Sequence, residues 1–280
     1  MAGIRRPALS QTPTEKTGEQ PGNVYLVGAG PGDPELLTLK AKRILEEADC
    51  ILYDSLLNPE LLQHAKAGCD KIHVGKRLGR HSMPQDQINE LIYKHAASGQ
   101  CVVRLKGGDP FIFGRGGEEI EYLNERGIHT EVVPGVTSAS AASSILRVPL
   151  THRTHGPAVL FLSGYSKAGA SEREGFPVHD WVSLARSPYT LVFYMGLHHL
   201  TRICRELRSN GKSGETPVGI ISKCTLPGEQ LYLYTLGELS AENASELIAP
   251  IAFPAISIIG DVIRLLPEHV ARMQKNGGGV

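Results

Sequence analysis

Short apolar runs alternate with longer amphipathic stretches through the first half of the chain. Each apolar run has the length of a buried strand, whereas the longer stretches repeat apolar side chains near helical spacing, as Leu36, Leu39 and Ile44 do. Because only short joints separate these elements, the alternation predicts an α/β fold with a mostly parallel sheet. The predicted strands cover residues 23–27, 50–53, 71–74, 101–103 and 130–133, and the predicted helices cover 35–48, 85–98, 118–126 and 137–146.

The second half of the chain has longer loops and more strands than helices, which predicts a mixed sheet. We therefore expect an N-terminal α/β domain over 22–152 and a C-terminal α/β domain over 153–270, with a connector near 150–157. The polar segment 1–21 is predicted to be a disordered tail, and 271–280 a loose one. The predicted strands of this half are 158–162, 190–194, 217–222, 230–234 and 255–259, with one helix at 197–208.

The composition argues against several classes of function. The chain has 280 residues, of which 41% are hydrophobic, enough for two domains with a real core. Its formal net charge is zero and its pI is about 7.2, so no global charge favours nucleic acid or an anionic membrane. Only 6% of the residues are aromatic, which argues against a stacking platform for single-stranded nucleic acid. Any preference for anions must therefore come from a local cluster of charges.

Cysteine and histidine usage points to a cytoplasmic protein without a metal site. The five cysteines are scattered and form no CxxC pair, as expected for reduced thiols. The sequence shows no apolar run of transmembrane length and no hydrophobic segment of a secretory signal. The histidine pairs His152/His155 and His198/His199 lack cysteines or carboxylates at metal-ligand spacing, so we predict no metal.

The most unusual composition lies in residues 104–119. This stretch follows a predicted strand, runs into a predicted helix and contains five glycines, one proline and the cations Arg104, Lys106 and Arg115. Glycines expose backbone that a side chain would cover, and ligands bind where strands of an α/β sheet end. The three cations favour an anionic ligand nearby. A tight turn with solvated charges is the structural alternative.

The loop at residues 28–34 also follows a strand, and its Gly28-x-Gly30 resembles part of a dinucleotide-binding turn. Two features argue against that interpretation. Asp33 occupies the third glycine position of the motif, and Pro31 removes a backbone N–H that would bind pyrophosphate. The sequence also lacks the glycine and lysine pattern of a P-loop. We therefore do not predict NAD, FAD or nucleotide binding.

Six stretches of the chain form a pattern when taken together: 27–34, 74–77, 104–119, 133–138, 149–153 and 194–196. They resemble the uroporphyrinogen-III C-methyltransferases of the tetrapyrrole methylase superfamily, over about residues 23–265. The run from Lys106 to Glu119 is the most specific of them. The resemblance implies a two-domain tetrapyrrole methylase fold, with a mostly parallel N-terminal sheet, a mixed C-terminal sheet and S-adenosyl-L-methionine (SAM) in the interdomain cleft.

The resemblance also implies an activity. A homodimer would transfer methyl groups from SAM to two pyrrole carbons of uroporphyrinogen III, giving precorrin-2 and S-adenosyl-L-homocysteine. The product would feed sirohaem, cobalamin or haem d1 synthesis. Asp54 matches the proposed proton acceptor and Lys76 the proposed proton donor. Glu118 is a second acid/base candidate, although a carboxylate in a first helical turn also stabilises the helix.

Two further sets of residues complete the predicted site. Because the substrate is a polyanion, cations near the cleft would hold its carboxylates by charge-assisted hydrogen bonds, and ordinary surface positions are the alternative for each of them. The predicted substrate-binding residues are Arg77, His81, Arg115, Arg153 and Tyr165, with Arg80, His152 and His155 as further nearby cations. The resemblance implies that SAM contacts Pro31, Gly107, Gly108, Asp109, Ile112, Thr137, Ser138, Met195, Gly219 and Cys224.

The chain departs from the family pattern at a few positions. Ser55 stands where members commonly have arginine, and Tyr165 where they commonly have histidine, so positive charge is lost at two expected substrate contacts. Cys224 places a larger side chain near the expected cofactor pocket, which would weaken SAM affinity. Two alternatives therefore stay open: a methylase of a later precorrin, and a non-catalytic homologue that binds SAM or a tetrapyrrole.

Overall fold

Two five-stranded sheets form the frame of the molecule. A computed structural model describes residues 21–75, 83–166 and 175–267. Within these ranges, no helix is long and apolar enough to cross a membrane.

The first sheet is entirely parallel, with strand order β3-β2-β4-β1-β5, as the alternating pattern predicts. Its central strand β4 lies between β2 and β1, and all five of its side chains are buried. The elements of this half are β1 Val24–Gly28, α1 Leu39–Glu47, β2 Cys50–Tyr53, β3 Asp70–His73, α2 Gln85–Ala97, β4 Val102–Lys106, α3 Gly116–Asn124, β5 Thr130–Val133 and α4 Ser138–Leu146.

The second sheet is mixed, which is also as predicted. Its order is β6-β7-β10-β8-β9, in which β6 pairs with β7 in parallel and the other pairings are antiparallel. Its elements are β6 Val159–Ser163, α5 Trp181–Arg186, β7 Thr190–Tyr194, α6 Leu200–Ser209, β8 Pro217–Ser222, β9 Gln230–Thr235, α7 Leu236–Ser240, α8 Ala244–Ile248 and β10 Ala255–Ile259.

The predicted helix at 35–48 is wrong in its first part. A short 3-10 helix at Pro34–Leu36 is capped by Asp33, whose side chain accepts a hydrogen bond from the Glu35 N–H. The chain then extends, and the Thr38 side chain caps the new helix by accepting from the Ala41 N–H at 3.1 Å. Apolar spacing alone predicts one helix here. The capping side chains of Asp33 and Thr38 divide it into two shorter elements, because each binds a backbone N–H group at a new helix start.

Helix α4 connects the two halves of the molecule. Its small residues Ala139, Ala141 and Ala142 are buried in one hydrophobic cluster with β7, β8 and β10 of the second sheet. Small side chains let the helix approach the sheet closely, and Leu146 then fills the remaining space in the same cluster. A helix at the end of the predicted N-terminal domain therefore packs against the C-terminal sheet, while the predicted domain boundaries stay a prediction.

This packing predicts a large cost for truncating Leu146, whose side chain is fully buried. We expect Leu146→Ala to lower the free energy of unfolding by about 2–5 kcal/mol because it leaves a cavity between helix and sheet. Leu39→Ala is the matched control, since Leu39 is 88% exposed at the start of α1, and it should cost about 0.5 kcal/mol or less. Denaturant unfolding measures both; equal effects would contradict the packing of α4.

Candidate active site

The carboxyl ends of β1, β4 and β5 lie at one edge of the parallel sheet, and their loops pack on one another. The backbones of Gly30 and Gly108 exchange two hydrogen bonds, Gly30 N–H to Gly108 O at 3.2 Å and Gly108 N–H to Gly30 O at 2.7 Å. A Cβ atom on Gly135 would lie 2.3 Å from the Gly108 carbonyl oxygen. Glycine is therefore required for the three loops to meet, which is a packing reason for these motif residues.

Gly107 and Asp109 differ in what they contact. Gly107 is exposed, and a Cβ atom placed on it would meet no atom within 4 Å, so its backbone faces open space. The Asp109 carboxylate accepts hydrogen bonds from Phe111 N–H at 2.9 Å and from Gly135 N–H at 3.1 Å. The Asp109 carboxylate thus connects the loops after β4 and β5 by hydrogen bonds. Only its remaining lone pairs are available to a ligand.

The C-terminal half lies opposite these loops, and the cleft is the region where the two halves meet. The Tyr194 hydroxyl lies 2.6 Å from Thr137 Oγ1 and accepts from the Ala139 N–H at 3.2 Å. On the same side, the Asp33 N–H donates to Thr225 Oγ1 at 3.0 Å. Both contacts join a loop of the first sheet to the end of a strand in the second, so the cleft lies between the two halves.

Most of the predicted SAM residues lie on these loops. Pro31, Ile112, Thr137 and Ser138 are partly exposed on the side of the first sheet. Gly219 differs, because it is buried in the middle of β8 and a Cβ atom there would lie 3.1 Å from Ile263 Cδ1. Its packing against Ile263 is a structural reason for glycine, so its role toward SAM stays a prediction.

Met195 and Cys224 lie beyond the carboxyl ends of β7 and β8. Met195 is 53% exposed, so its thioether is available to a ligand. Cys224 is buried in the cluster that holds α4 to the second sheet. Burial raises the pKa of the Cys224 thiol to about 12, with a smaller contribution from the Glu229 carboxylate. The thiol is therefore held in its protonated form.

Backbone strain concentrates around the cleft. A non-glycine residue with positive φ carries a conformational cost, and such residues cluster at ligand sites. Among the described residues, five of the six that have this conformation belong to the loops that face one another across the cleft. They are Phe113 (φ 54°), Arg115 (φ 59°), Met195 (φ 55°), Lys223 (φ 51°) and Thr225 (φ 63°).

The expectation that Arg104 and Lys106 serve an anionic ligand is wrong. Both side chains are buried in β4 and both pair with Glu119 of α3, which has no exposed surface. The Lys106 Nζ donates to both oxygens of Glu119 at 3.0 Å, and the Arg104 Nε donates to Oε1 at 3.1 Å. The Gln85 amide from α2 completes the set at 2.9 Å. The buried carboxylate of Glu119 therefore balances the charge of these cations and accepts their hydrogen bonds.

Arg104 extends this network to Asp54 at the edge of the cleft. Its Nη2 donates to both Asp54 carboxylate oxygens at 2.8 Å, and the Asp54 side chain remains 32% exposed. Burial lowers the pKa of Arg104, but the charges of Asp54 and Glu119 outweigh it and raise that pKa above its ordinary value. Burial, and then the Arg104 charge, lower the pKa of Lys106. Arg104 thus fixes the orientation of a partly exposed carboxylate.

The structure does not bring the other predicted catalytic and substrate-binding residues together in one cluster. Glu118 is exposed on α3, and both its oxygens accept from Arg115, at 2.8 and 2.5 Å. Arg153 and Tyr165 are exposed on the side of the C-terminal half. Lys76, Arg77, Arg80 and His81 lie outside the residues that the structure describes, so their convergence on the cleft stays a prediction.

Ser55, at the position of the missing arginine, follows Asp54 directly. Its Oγ lies 3.1 Å from His73 Nε2, and the His73 ring meets the Tyr53 ring edge-on at 5.3 Å. A Cβ atom on Gly75 would come within 2.4 Å of Ser55 Oγ. A hydroxyl and an imidazole therefore occupy the edge of β2 and β3. Across the residues described, no group of three or more histidine, cysteine or acidic side chains could hold a metal ion.

The family of Tetrapyrrole (Corrin/Porphyrin) Methylases matches residues 23–240 of this chain. The chain belongs to this family. The predicted family and two-domain fold are confirmed, and so is the prediction of a SAM-dependent methyltransferase.

Solved structures of this methylase family resemble the chain over most of its length. The native uroporphyrin III C-methyltransferase of Thermus thermophilus is 40% identical with a TM-score of 0.72, covering 87% of this chain and 94% of that one. A second structure of that enzyme, complexed with S-adenosyl homocysteine, gives the same values. A cobalt precorrin-4 methyltransferase is 28% identical with a TM-score of 0.73, covering 86% of this chain and 95% of that one.

Curated relatives are siroheme synthases. That of Psychrobacter cryohalolentis is 46% identical over 244 residues, which are 87% of this chain and 45% of the relative. That of Azotobacter vinelandii is 45% identical over 244 residues, which are 87% of this chain and 51% of the relative. The methylase chain thus spans about half the length of the curated relatives it matches.

Sequence reasoning missed one residue of the buried network and one residue of the cleft. Glu119 is adjacent to Glu118, and only the phase of α3 shows which of the two faces the core. The sequence predicts Tyr194 only as the end of a strand, although it directly precedes Met195 and Gly196 in a motif of the resemblance. Its cross-domain contacts depend on the positions of α4 and the 107–115 loop, which local sequence does not specify.

The buried network predicts unequal costs for two adjacent substitutions. Glu119→Gln should lower the free energy of unfolding by about 3–5 kcal/mol, because it leaves two buried cations without their carboxylate. Glu118→Gln should cost no more than about 1 kcal/mol, since that pair is exposed. Urea unfolding of both variants is the measurement, and similar midpoints would show that Glu119 does not hold the network.

Proposed function

We propose that this chain uses SAM to methylate uroporphyrinogen III at two pyrrole carbons, giving precorrin-2. The observation that carries the proposal is the cleft between the two sheets. Three glycine-containing loops form one side of it, Met195 lies on the other, and the Asp54 carboxylate lies at the neighbouring strand end. The 40% identity to a uroporphyrin III C-methyltransferase over 94% of that enzyme supports the same acceptor.

The residues of the cleft suit the chemical groups of SAM. The exposed backbone of Gly107 lets a ligand approach closely, and the remaining lone pairs of Asp109 can accept from hydroxyl or ammonium groups. Thr137 and Ser138 lie at the start of α4, where backbone N–H groups favour a carboxylate. The exposed thioether of Met195 can pack on the adenine or the sulfonium region. When bound, SAM supplies an electrophilic methyl group.

The chain itself must then align the acceptor and remove a proton. Methyl transfer to a pyrrole carbon requires no covalent nucleophile on the protein, but the methylated ring must lose its proton. Asp54 is the proposed acceptor of that proton, since Arg104 orients a carboxylate whose outer part remains exposed. Lys76 is the proposed proton donor, and Glu118 remains the second acid/base candidate.

Positive side chains around the cleft are proposed to hold the acetate and propionate groups of the substrate. Two hydrogen bonds to Glu118 orient the partly exposed Arg115 guanidinium, and its remaining N–H groups are proposed to bind a substrate carboxylate. Arg153 is exposed in the connector between the halves. Arg77 and His81 complete the proposed set, with Tyr165 as a neutral contact that can donate a hydrogen bond through its hydroxyl.

Methylation of a later precorrin is the second candidate. The similarity to a cobalt precorrin-4 methyltransferase favours it, and so does Ser55, which stands where an arginine is expected to contact the substrate. A non-catalytic homologue would also retain the cleft, but it would have no need of an oriented carboxylate at Asp54. The homodimer, the cytoplasmic location and the sirohaem branch are further proposals, of which the branch is favoured by the siroheme synthase relatives.

A product assay separates these candidates. The protein is incubated with SAM and uroporphyrinogen III under anaerobic conditions, and the products are analysed by mass spectrometry. We expect species that carry one and two added methyl groups, with S-adenosyl homocysteine formed in proportion. A parallel incubation contains a later precorrin in place of uroporphyrinogen III. Methylation in that incubation alone would support the second candidate, and methyl transfer to neither acceptor would support the non-catalytic one.

Asp54→Asn tests the proposed proton acceptor. Because an amide cannot take up the proton, we expect kcat to fall by about 10²- to 10⁴-fold while the Kd for S-adenosyl homocysteine stays unchanged. Asp49→Asn is the matched control, since Asp49 precedes the opposite end of β2 and pairs with the surface residue Lys66. Steady-state kinetics and calorimetry supply the two readouts. Full turnover by Asp54→Asn would remove Asp54 from the mechanism.

A further inference from the structure

Tyr194 is the residue through which the second sheet contacts the start of α4. It ends β7, and its hydroxyl reaches Thr137 Oγ1 at 2.6 Å and the Ala139 N–H at 3.2 Å. The Thr137 side chain makes no capping bond to its own helix. A tyrosine from the C-terminal half therefore does what an N-cap side chain does in other helices, which is to accept from an N–H group of the first turn.

Donor and acceptor counting fixes the direction of one of the two bonds. The Tyr194 oxygen accepts from the Ala139 N–H, and its second lone pair and its own hydrogen let it either accept from Thr137 Oγ1 or donate to it. In both cases the bond orients the Thr137 side chain. Thr137 is thereby held in one orientation at the start of α4, next to backbone N–H groups that favour an anionic group.

The ring of Tyr194 is fixed on both sides. Its centroid lies 4.9 Å from that of Phe113 and 5.7 Å from that of Phe161. Phe113 adopts a positive φ in the glycine loop that follows β4, whereas Phe161 belongs to β6. Burial raises the pKa of the Tyr194 hydroxyl, while its bonds to Thr137 and Ala139 act in the opposite direction. The phenol therefore stays protonated at neutral pH.

We propose that Tyr194 is a positioning residue for the methyl-donor site, which orients the Thr137 hydroxyl toward a polar group of SAM. This inference rests on the proposed function, because it assumes that SAM binds at the start of α4. Tyr194 acts through Thr137 and need not itself contact the ligand. The recognised chemistry is that of a polar group on the methyl donor, and the backbone N–H groups at the start of α4 favour its carboxylate.

Tyr194→Phe removes the hydroxyl and keeps the ring between Phe113 and Phe161. Without the phenol, Thr137 loses the bond that orients it, so we expect S-adenosyl homocysteine to bind about three- to tenfold more weakly, the effect of one hydrogen bond. The KM for SAM should rise similarly, and the KM for uroporphyrinogen III should stay unchanged. Isothermal calorimetry with S-adenosyl homocysteine measures the first effect independently of turnover.

Tyr234→Phe is the matched control. Its hydroxyl donates to the Leu247 carbonyl oxygen at 3.1 Å, away from the cleft, so the substitution also removes one partly buried hydrogen bond. We expect a similar change in melting temperature and unchanged affinity for S-adenosyl homocysteine. Equal affinity in Tyr194→Phe and Tyr234→Phe would overturn the proposal, since Tyr194 would then be structural only.

A double-mutant cycle tests whether the effect passes through Thr137. Thr137→Val alone should weaken binding about as much as Tyr194→Phe, and the double variant should be little weaker than Thr137→Val. Independent, multiplicative losses would contradict the assigned route. If the unmodified protein bound no S-adenosyl homocysteine at all, the proposed function itself would fail, an outcome distinct from normal binding by Tyr194→Phe.

Discussion

The buried pairing of Glu119 with Arg104 and Lys106 is the interaction on which the rest of the site depends. It places two cations and a carboxylate inside the central strand and its covering helix, where an unpaired charge would be severely destabilising. The geometry of β4, α3 and α2 is therefore coupled, because all three supply members of one network. Arg104 also donates to both oxygens of Asp54. The buried network therefore sets the orientation of a carboxylate at the cleft.

The cleft itself combines rigid packing with exposed ligand-binding surface. Backbone bonds between Gly30 and Gly108, and the bridge from Asp109 to Gly135, lock three loops at the edge of the first sheet. The opposite wall is attached by Tyr194 and Thr225. Strained backbone at both walls persists because the surrounding contacts outweigh its cost. This is the organisation expected of a preformed small-molecule site in the methylase family.

Sequence patterns predicted the two sheets and the glycine loops because these follow from local periodicity and turn chemistry. They failed where a partner distant in sequence decides the outcome. The sequence predicts Arg104 and Lys106 as ligand-binding cations. In the fold, the phase of α3 directs Glu119 toward them, and they pair with its carboxylate instead. The interrupted helix at 35–48 failed for a local reason, since capping by Thr38 competes with apolar spacing. The hydrogen bonds of Tyr194 could not be predicted, because its partners lie in another part of the fold.

The burial of Cys224 has a consequence for chemical selectivity. A thiolate is a strong sulfur nucleophile, and a sulfonium compound alkylates such groups readily. With its pKa raised to about 12, this thiol keeps its proton at neutral pH, and the surrounding aliphatic side chains shield it. In the proposed methyl-donor site, this burial would protect the protein from self-alkylation, since no sulfur anion at this position would compete with the carbon acceptor.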